Sequence, residues 1–223
     1  MAKHKLFRFS ENETFPNLIQ LPYTEVIEGV PLKGKWGDEF FKKNQPLIIE
    51  LGCGKGEYTI GLAKRFPETN FIGVDVKGAR LWRGCKTSND EKMGNVGFIR
   101  TQIELIDHYF ETEEVSEIWI TFPDPQPKEF KARKRLTNPL FLERYRNFLA
   151  KDGVINLKTD NTAFFDYTLE VIKEQGHKLL FQERDVYHSD CKGALVEIQT
   201  FYEKKYLELG QPIHYLKFQL NEK

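Results

Sequence analysis

The stretch Leu47–Gly56 reads L-I-I-E-L-G-C-G-K-G, and its reading decides the fold. An apolar run with two β-branched residues ends in an acid, and glycines then follow at alternate positions, Gly52, Gly54 and Gly56. E-Y-T-I-G-L-A-K-R-F comes next, so the pattern predicts a buried strand over Leu47 to Leu51, a tight turn, and a helix over Glu57 to Phe66. Glycine accepts positive φ and lets a ligand lie against the backbone with no Cβ in the way. The spacing is G-x-G-x-G, not the G-x-G-x-x-G of dinucleotide-binding turns, where a pyrophosphate rests on the helix N-terminus. Glu50, two residues before the first glycine, suits a ligand with a positive centre better than a diphosphate.

Outward from this stretch, strand and helix patterns alternate. Further strands are predicted over Asn70 to Asp75, Val96 to Arg100, Glu117 to Phe122, Gly153 to Thr159 and Lys178 to Glu183. Helical spacing with turn signals at its ends covers Ala79 to Lys92, Pro139 to Ala150 and Phe164 to Gln175. Repeated strand-helix units imply a parallel sheet covered on both faces, with ligands at the carboxyl ends of the strands. Ile213 to Leu220 follows a long loop-rich stretch and is expected as a seventh, antiparallel strand. Residues 1–45 hold neither period: Pro16, Pro22, Pro31, Gly29, Gly34 and Gly37 interrupt scattered aromatics. They are read as an extended arm docking its aromatics on a main domain, 46–223. A sharper alternative is an RNA-contacting arm, because basic residues interleave with aromatics at both of its ends.

Composition bounds the rest. A chain of 223 residues is long enough to bury a sizeable core, and 40% hydrophobic with 30% charged is ordinary for a globular enzyme. Lys plus Arg equals Asp plus Glu at 33 each, so no global charge announces a polyanionic partner and only local clusters could. Cys53, Cys85 and Cys191 are far apart and in no C-x-x-C pair, which argues for a reducing compartment and against a metal site. No apolar run approaches a membrane span, and M-A-K-H-K-L-F-R-F has no signal-peptide core, so a cytoplasmic location without membrane contact is expected. Monomer and homodimer are equally open.

Candidate site residues fall at strand ends. Asp75 closes the second strand about 20 residues beyond the glycine turn, where a carboxylate usually accepts from ribose hydroxyls. Gln102, just past the third strand, offers an amide to an adenine amino group, or is a plain surface residue. The fourth strand ends in T-F-P-D-P-Q-P-K, Thr121 to Lys128, where three prolines stiffen the chain around Asp124. K-E-F-K-A-R-K-R follows, and in it Lys128, Lys131, Arg133, Lys134 and Arg135 make a basic patch fit for phosphates. The fifth strand ends in L-K-T-D-N, placing Asp160 at the same edge as Asp124.

The glycine turn with Glu50 before it resembles motif I of the class I S-adenosylmethionine methyltransferases. With P-D-P-Q-P-K, R-K-R-L, L-K-T-D-N and T-F-Y-E at Thr200 to Glu203, nearly all of the chain after residue 45 resembles the bacterial tRNA (guanine-N7-)-methyltransferases. The resemblance implies a Rossmann-like α/β fold with a seven-stranded, mostly parallel sheet, S-adenosyl-L-methionine as cofactor, and methylation of the guanine numbered 46 in the variable loop of tRNA. It assigns Glu50, Gly52, Gly54, Gly56, Asp75, Gln102 and Asp124 to the cofactor, with Asp124 also catalytic. It assigns Lys128, Asp160, Thr200, Phe201, Tyr202 and Glu203 to the substrate. The chain departs from the family pattern in three places: Gln102 replaces an acid, Gln126 replaces the tryptophan of P-D-P-W, and Ile198-Gln199 stands where the family has Arg-Pro. The rival readings are a methyltransferase acting on another RNA and a non-catalytic RNA-binding module on the same fold.

Overall fold

The computed structural model describes residues 2–222, with side chains from Lys5 onward. The chain divides into two compact units, residues 1–111 and 112–223.

The first unit runs α1 (Ala2–Asn12), β1 (Leu18–Ile19), α2 (Tyr23–Glu28), a π-helical turn (Trp36–Phe41), β2 (Leu47–Leu51), α3 (Glu57–Arg65), β3 (Asn70–Asp75), α4 (Gly78–Asp90), β4 (Val96–Arg100) and a 3-10 turn (Ile103–His108). Its strands lie in the order β1-β4-β3-β2, all parallel, with Leu51 opposite Val74 and Asp75 opposite Arg100. β2, β3 and β4 have the predicted bounds because each is a short apolar run closed by turn residues. Ile49, Leu51, Ile72, Val74, Phe98 and Ile99 are fully buried, as strands covered on both faces require.

Residues 1–45 differ from the expected extended arm. Trp36 and Phe41 are buried as expected, but Phe7 and Tyr23 are exposed, and the segment carries two α-helices, a π-helical turn and a short strand, β1, pairing with β4. Tertiary contacts set this conformation where local propensity is weak. Asn12 Nδ2 donates to the Gly78 carbonyl at 2.9 Å, and Trp82 Nε1 donates to Glu11 at 2.6 Å. Trp36 is buried, donating from Nε1 to the Tyr109 carbonyl at 2.9 Å.

The second unit runs β5 (Val115–Thr121), a 3-10 turn (Glu129–Lys134), α5 (Pro139–Arg146), β6 (Leu149–Thr159), α6 (Thr162–Glu174), β7 (Lys178–Glu183), α7 (Ala194–Glu197), α8 (Phe201–Glu208) and β8 (His214–Gln219). The order is β5-β6-β8-β7, with β5 and β6 parallel and β8 antiparallel to both its neighbours. The last strand is antiparallel as expected and inserts between β6 and β7. Asn138 and Asn161 cap α5 and α6, accepting from Leu140 N at 3.1 Å and Phe164 N at 2.8 Å. α5 stops at Arg146, four residues short of the predicted helix, because Leu149 already opens β6. The fold class is α/β with mostly parallel strands. The described residues form eight strands where seven were expected, β1 being the addition. None of their helices is long and apolar enough to cross a membrane.

Candidate active site

In the first unit the turn after β2 is built by its glycines. Gly52, Gly54 and Gly56 have φ of 77°, 59° and 72°, the left-handed region that side chains resist. Gly52 N and Cys53 N both donate to the Val74 carbonyl, at 2.8 and 3.0 Å, so the turn is pinned to the end of β3. A Cβ at Gly56 would lie 2.7 Å from the Phe98 ring and 3.4 Å from Gly84 Cα. This glycine therefore serves close packing. A Cβ at Gly54 would meet nothing within 4 Å, so open space lies over the middle of the turn.

Two carboxylates brace the turn. Asp75, only 8% exposed, accepts from Gly54 N at 2.9 Å and from Lys77 N at 2.7 Å. Glu50, 3% exposed, accepts from Thr59 N at 2.8 Å and from the Thr59 hydroxyl, which ties the end of β2 to the first turn of α3. Gln102 is exposed beyond β4, at the start of the 3-10 turn. Cys53 lies inside the glycine turn, and burial, with Glu50 and Asp75 adding, pushes its thiol well above the ordinary range. It is a packing residue rather than a nucleophile. Glu50, the three glycines, Asp75 and Gln102 thus share the carboxyl edge of β2, β3 and β4. An open glycine turn with a carboxylate at its side fits an adenosine-bearing ligand: backbone without Cβ to lie against, and an acid placed to take hydroxyls.

In the second unit the P-D-P stretch leaves the carboxyl end of β5 in a constrained path. Phe122 and Gln126 have φ of 47° and 46°, uncommon for side-chain-bearing residues, and Asp124 Oδ1 accepts from Gln126 N at 3.1 Å. Asp124 itself is exposed. β5 pairs with β6 through Thr121 and Lys158, and Phe122 N donates to the Lys158 carbonyl at 2.8 Å, so Asp124 and Asp160 leave neighbouring strand ends. Asp160 is half-buried, and burial raises its carboxyl pKa against a smaller opposing pull from His214.

The basic run does not act as one. Lys128, Lys131, Arg133 and Lys134 are exposed, but Arg135 is 9% exposed and turned inward. Arg135 donates through Nε and Nη2 to the Gln126 carbonyl at 3.3 Å and lies 4.3 Å from the Tyr167 ring centre. It holds the P-D-P loop in shape. Phe130, 78% exposed, sits between Lys128 and Lys131 at 5.9 and 6.0 Å, an apolar face among cations that a count of charges did not reveal.

Thr200 and Glu203 form a capping box at the start of α8: Glu203 N donates to Thr200 Oγ1 at 3.2 Å, and Thr200 N to Glu203 Oε2 at 3.3 Å. Glu203 is fully buried, with Oε1 2.5 Å from Lys158 Nζ and 2.7 Å from Tyr187 Oη. Phe201 and Tyr202 are exposed on the same turn. One turn on, Tyr206 stacks on Phe122 with ring centres 6.4 Å apart, and burial raises its hydroxyl pKa with Asp160 and Tyr202 adding. Tyr206 was missed by sequence reasoning, although its place four residues after Tyr202 on a capped helix marks the same face.

The fold, the open glycine turn and its acid define a class I methyltransferase. Residues 44–216 match the model of a family described as "Putative methyltransferase". A solved antibiotic-related methyltransferase superposes with a TM-score of 0.63 over 86% of this chain and 96% of its own, at 17% identity, a likeness of fold alone. The tRNA (guanine-N(7)-)-methyltransferase of Christiangramia forsetii is 53% identical over 98% of this chain and 99% of its own length. That of Bacteroides fragilis is 49% identical over 99% and 87%. The chain belongs to the bacterial tRNA (guanine-N7-)-methyltransferase family.

Proposed function

We propose that this chain transfers the methyl group of S-adenosyl-L-methionine to N7 of guanine in tRNA, at position 46 of the variable loop, in the cytoplasm, with residues 46–223 as the catalytic domain. The observation that carries the donor is the glycine turn open at Gly54 with Asp75 bonded across it. Kinship with relatives named for tRNA guanine N7 supports the acceptor.

When bound, S-adenosyl-L-methionine supplies an electrophilic methyl group on a sulfonium centre. Gly52, Gly54 and Gly56 offer it a backbone surface, Asp75 takes ribose hydroxyls, Gln102 reaches toward the adenine, and Glu50 keeps β2 and α3 in register beneath it. Guanine N7 carries an in-plane lone pair and no proton, so no base is needed to create the nucleophile. The protein's task is alignment, chiefly a proximity effect. Transfer places positive charge on the purine, and the fixed Asp124 carboxylate is favoured more as that charge develops. Asp160 accepts from guanine N1–H and the N2 amino group, a donor pair that adenine lacks. The exposed Phe201 and Tyr202 and the half-buried Tyr206 offer faces to the base. Thr200 and Glu203, already engaged with each other, hold the helix that presents them. Lys128, Lys131, Arg133 and Lys134 hold backbone phosphates.

The test is to incubate unmodified tRNA with the protein and S-adenosyl-L-methionine, then reduce and treat with aniline, which cuts at N7-methylguanine. One cut in the variable loop is expected. Its absence sinks the function, and full activity of Asp124→Ala sinks the catalytic assignment.

A further inference from the structure

The chain carries no net charge, with 33 residues of each sign, so any polyanion it holds must be gripped by local clusters. One such cluster lies in the first unit, outside every residue assigned above. A groove of about 520 Å³ is lined by Arg8 of α1, Lys55 and Glu57 at the start of α3, and Arg80, Trp82 and Arg83 of α4, with Ile60, Ala79 and Thr87 as its floor. It holds four cations against the one acid, Glu57.

The groove is built, not incidental. Arg8 lies 4.8 Å from the Trp82 ring centre and donates from Nη1 to the Ala79 carbonyl at 3.4 Å, which fixes its guanidinium over α4. α1 is anchored there by the Asn12 bond to Gly78 and the Glu11 bond to Trp82. Trp82 thus has its indole N–H satisfied and a face covered by Arg8, which favours a charged ligand over a stacked base. Arg80 and Arg83 sit one turn apart on the exposed side of α4, and among the described residues neither side chain has a partner. Lys55 stands between Gly54 and Gly56 of the cofactor turn.

We propose that Arg8, Lys55, Arg80 and Arg83 form an anchor for RNA backbone phosphates, separate from the basic run after Asp124 and bordering the cofactor turn. Forked guanidinium groups match phosphate oxygens in pairs, and two of them are free to do so. The N-terminal helix thereby gains a task, completing the anchor with Arg8. The proposal rests on the tRNA reading above.

The test compares wild type, Arg80→Ala/Arg83→Ala, and Lys33→Ala/Lys43→Ala, a control that removes equal charge elsewhere in the same unit. tRNA transcript binding is followed by fluorescence anisotropy across KCl concentrations, and S-adenosyl-L-methionine binding by calorimetry. Each lost phosphate contact removes roughly 0.7 to 0.9 from the slope of log affinity against log salt. The arginine pair is therefore expected to flatten the slope by about 1.5 and weaken tRNA binding, with the affinity for S-adenosyl-L-methionine kept and the control close to wild type. An unchanged slope, an equal effect of the control pair, or loss of S-adenosyl-L-methionine binding in the arginine variant overturns the proposal. A wild-type chain that binds S-adenosyl-L-methionine but not tRNA refutes the tRNA reading instead, and is distinguishable at once.

Discussion

Replacing Glu203 by Gln keeps the shape of the side chain and removes the charge opposite Lys158. The Nζ–Oε1 distance is 2.5 Å and both side chains are fully buried, with Lys158 Nζ also 2.5 Å from the Leu195 carbonyl. A buried lysine without its counter-charge sheds its proton rather than remain a cation, so the cost has a ceiling. Burial already holds the Lys158 ammonium below its usual 10.5, with Glu203 pulling it back up. With that pull removed, keeping the amine neutral at pH 7 costs about 1.4 kcal/mol for each pH unit up to 10.5, roughly 5 kcal/mol. Breaking a buried pair from one side typically costs about 3 to 5 kcal/mol, which brackets the same range. The sign of the pH dependence follows. A lysine depressed in the folded state binds fewer protons there than in the unfolded chain between its lowered value and 10.5, so stability rises with pH across that window. Glu203→Gln is therefore expected to lose about 3 to 5 kcal/mol against wild type in urea unfolding at pH 7 and to recover most of it by pH 9.5. A loss under about 1 kcal/mol, or one that does not change with pH, would refute the buried charged pair. The double variant Lys158→Met/Glu203→Leu leaves no orphan charge and should cost less than either single change.

Four further outcomes are expected. Gly56→Ala drives a methyl group into Phe98 at positive φ and should lose about 2 to 4 kcal/mol in unfolding. Gly54→Ala, with empty space around it, should cost only about 1 kcal/mol yet weaken S-adenosyl-L-methionine in calorimetry, and unchanged affinity would show that the ligand does not lie over the turn. Phe130→Ala should leave the melting temperature unchanged, since the ring is 78% exposed. It should raise the tRNA dissociation constant by roughly 5- to 150-fold if one base stacks there, and an unchanged constant would remove Phe130 from the interface. Asp160 has a raised folded-state pKa, so the folded state loses stability as pH rises from the ordinary 3.8 through the raised value. Asp160→Asn should therefore melt higher than wild type at pH 7, with the difference vanishing below pH 3.8, and a difference independent of pH would contradict the half-buried acid.

β2, β3 and β4 were legible because each is a short apolar run that ends in a polar residue or a glycine turn, a signal contained within five or six residues. α1 was not, because what makes Ala2–Asn12 a helix lies some seventy residues away, in Gly78 and Trp82. The place of β8 was hidden for a related reason. Its alternation marks a strand, but nothing within His214–Gln219 says that it pairs with Leu179 on one side and Ile155 on the other. β6 shows a local signal misread: Gly153 looked like the strand's beginning, while in the structure it lets Leu149 pack close, and the pairing shifts register between Val115 and Glu117.

The site residues divide along the same line. Positions whose conformation is set by the backbone, such as the three glycines at positive φ, announced themselves through spacing. Positions whose role depends on a partner did not. Arg135 stands among four exposed cations and looks like one of them until Tyr167 and the Gln126 carbonyl are seen against it. Thr200 and Glu203 carried two messages in T-F-Y-E, a substrate motif by resemblance and a capping box by chemistry. The capping box is the part seen in the structure, and the proposed substrate role would build on it. A helix whose first turn is locked by Thr200, Glu203, Lys158 and Tyr187 holds Tyr202 and Tyr206 in place, with Tyr206 against Phe122 and within the field of Asp160. On that reasoning Glu203→Gln and Tyr206→Ala should differ in kind. The first loses stability and activity together, and its activity returns as pH restores the fold. The second keeps the fold and loses guanine at every pH.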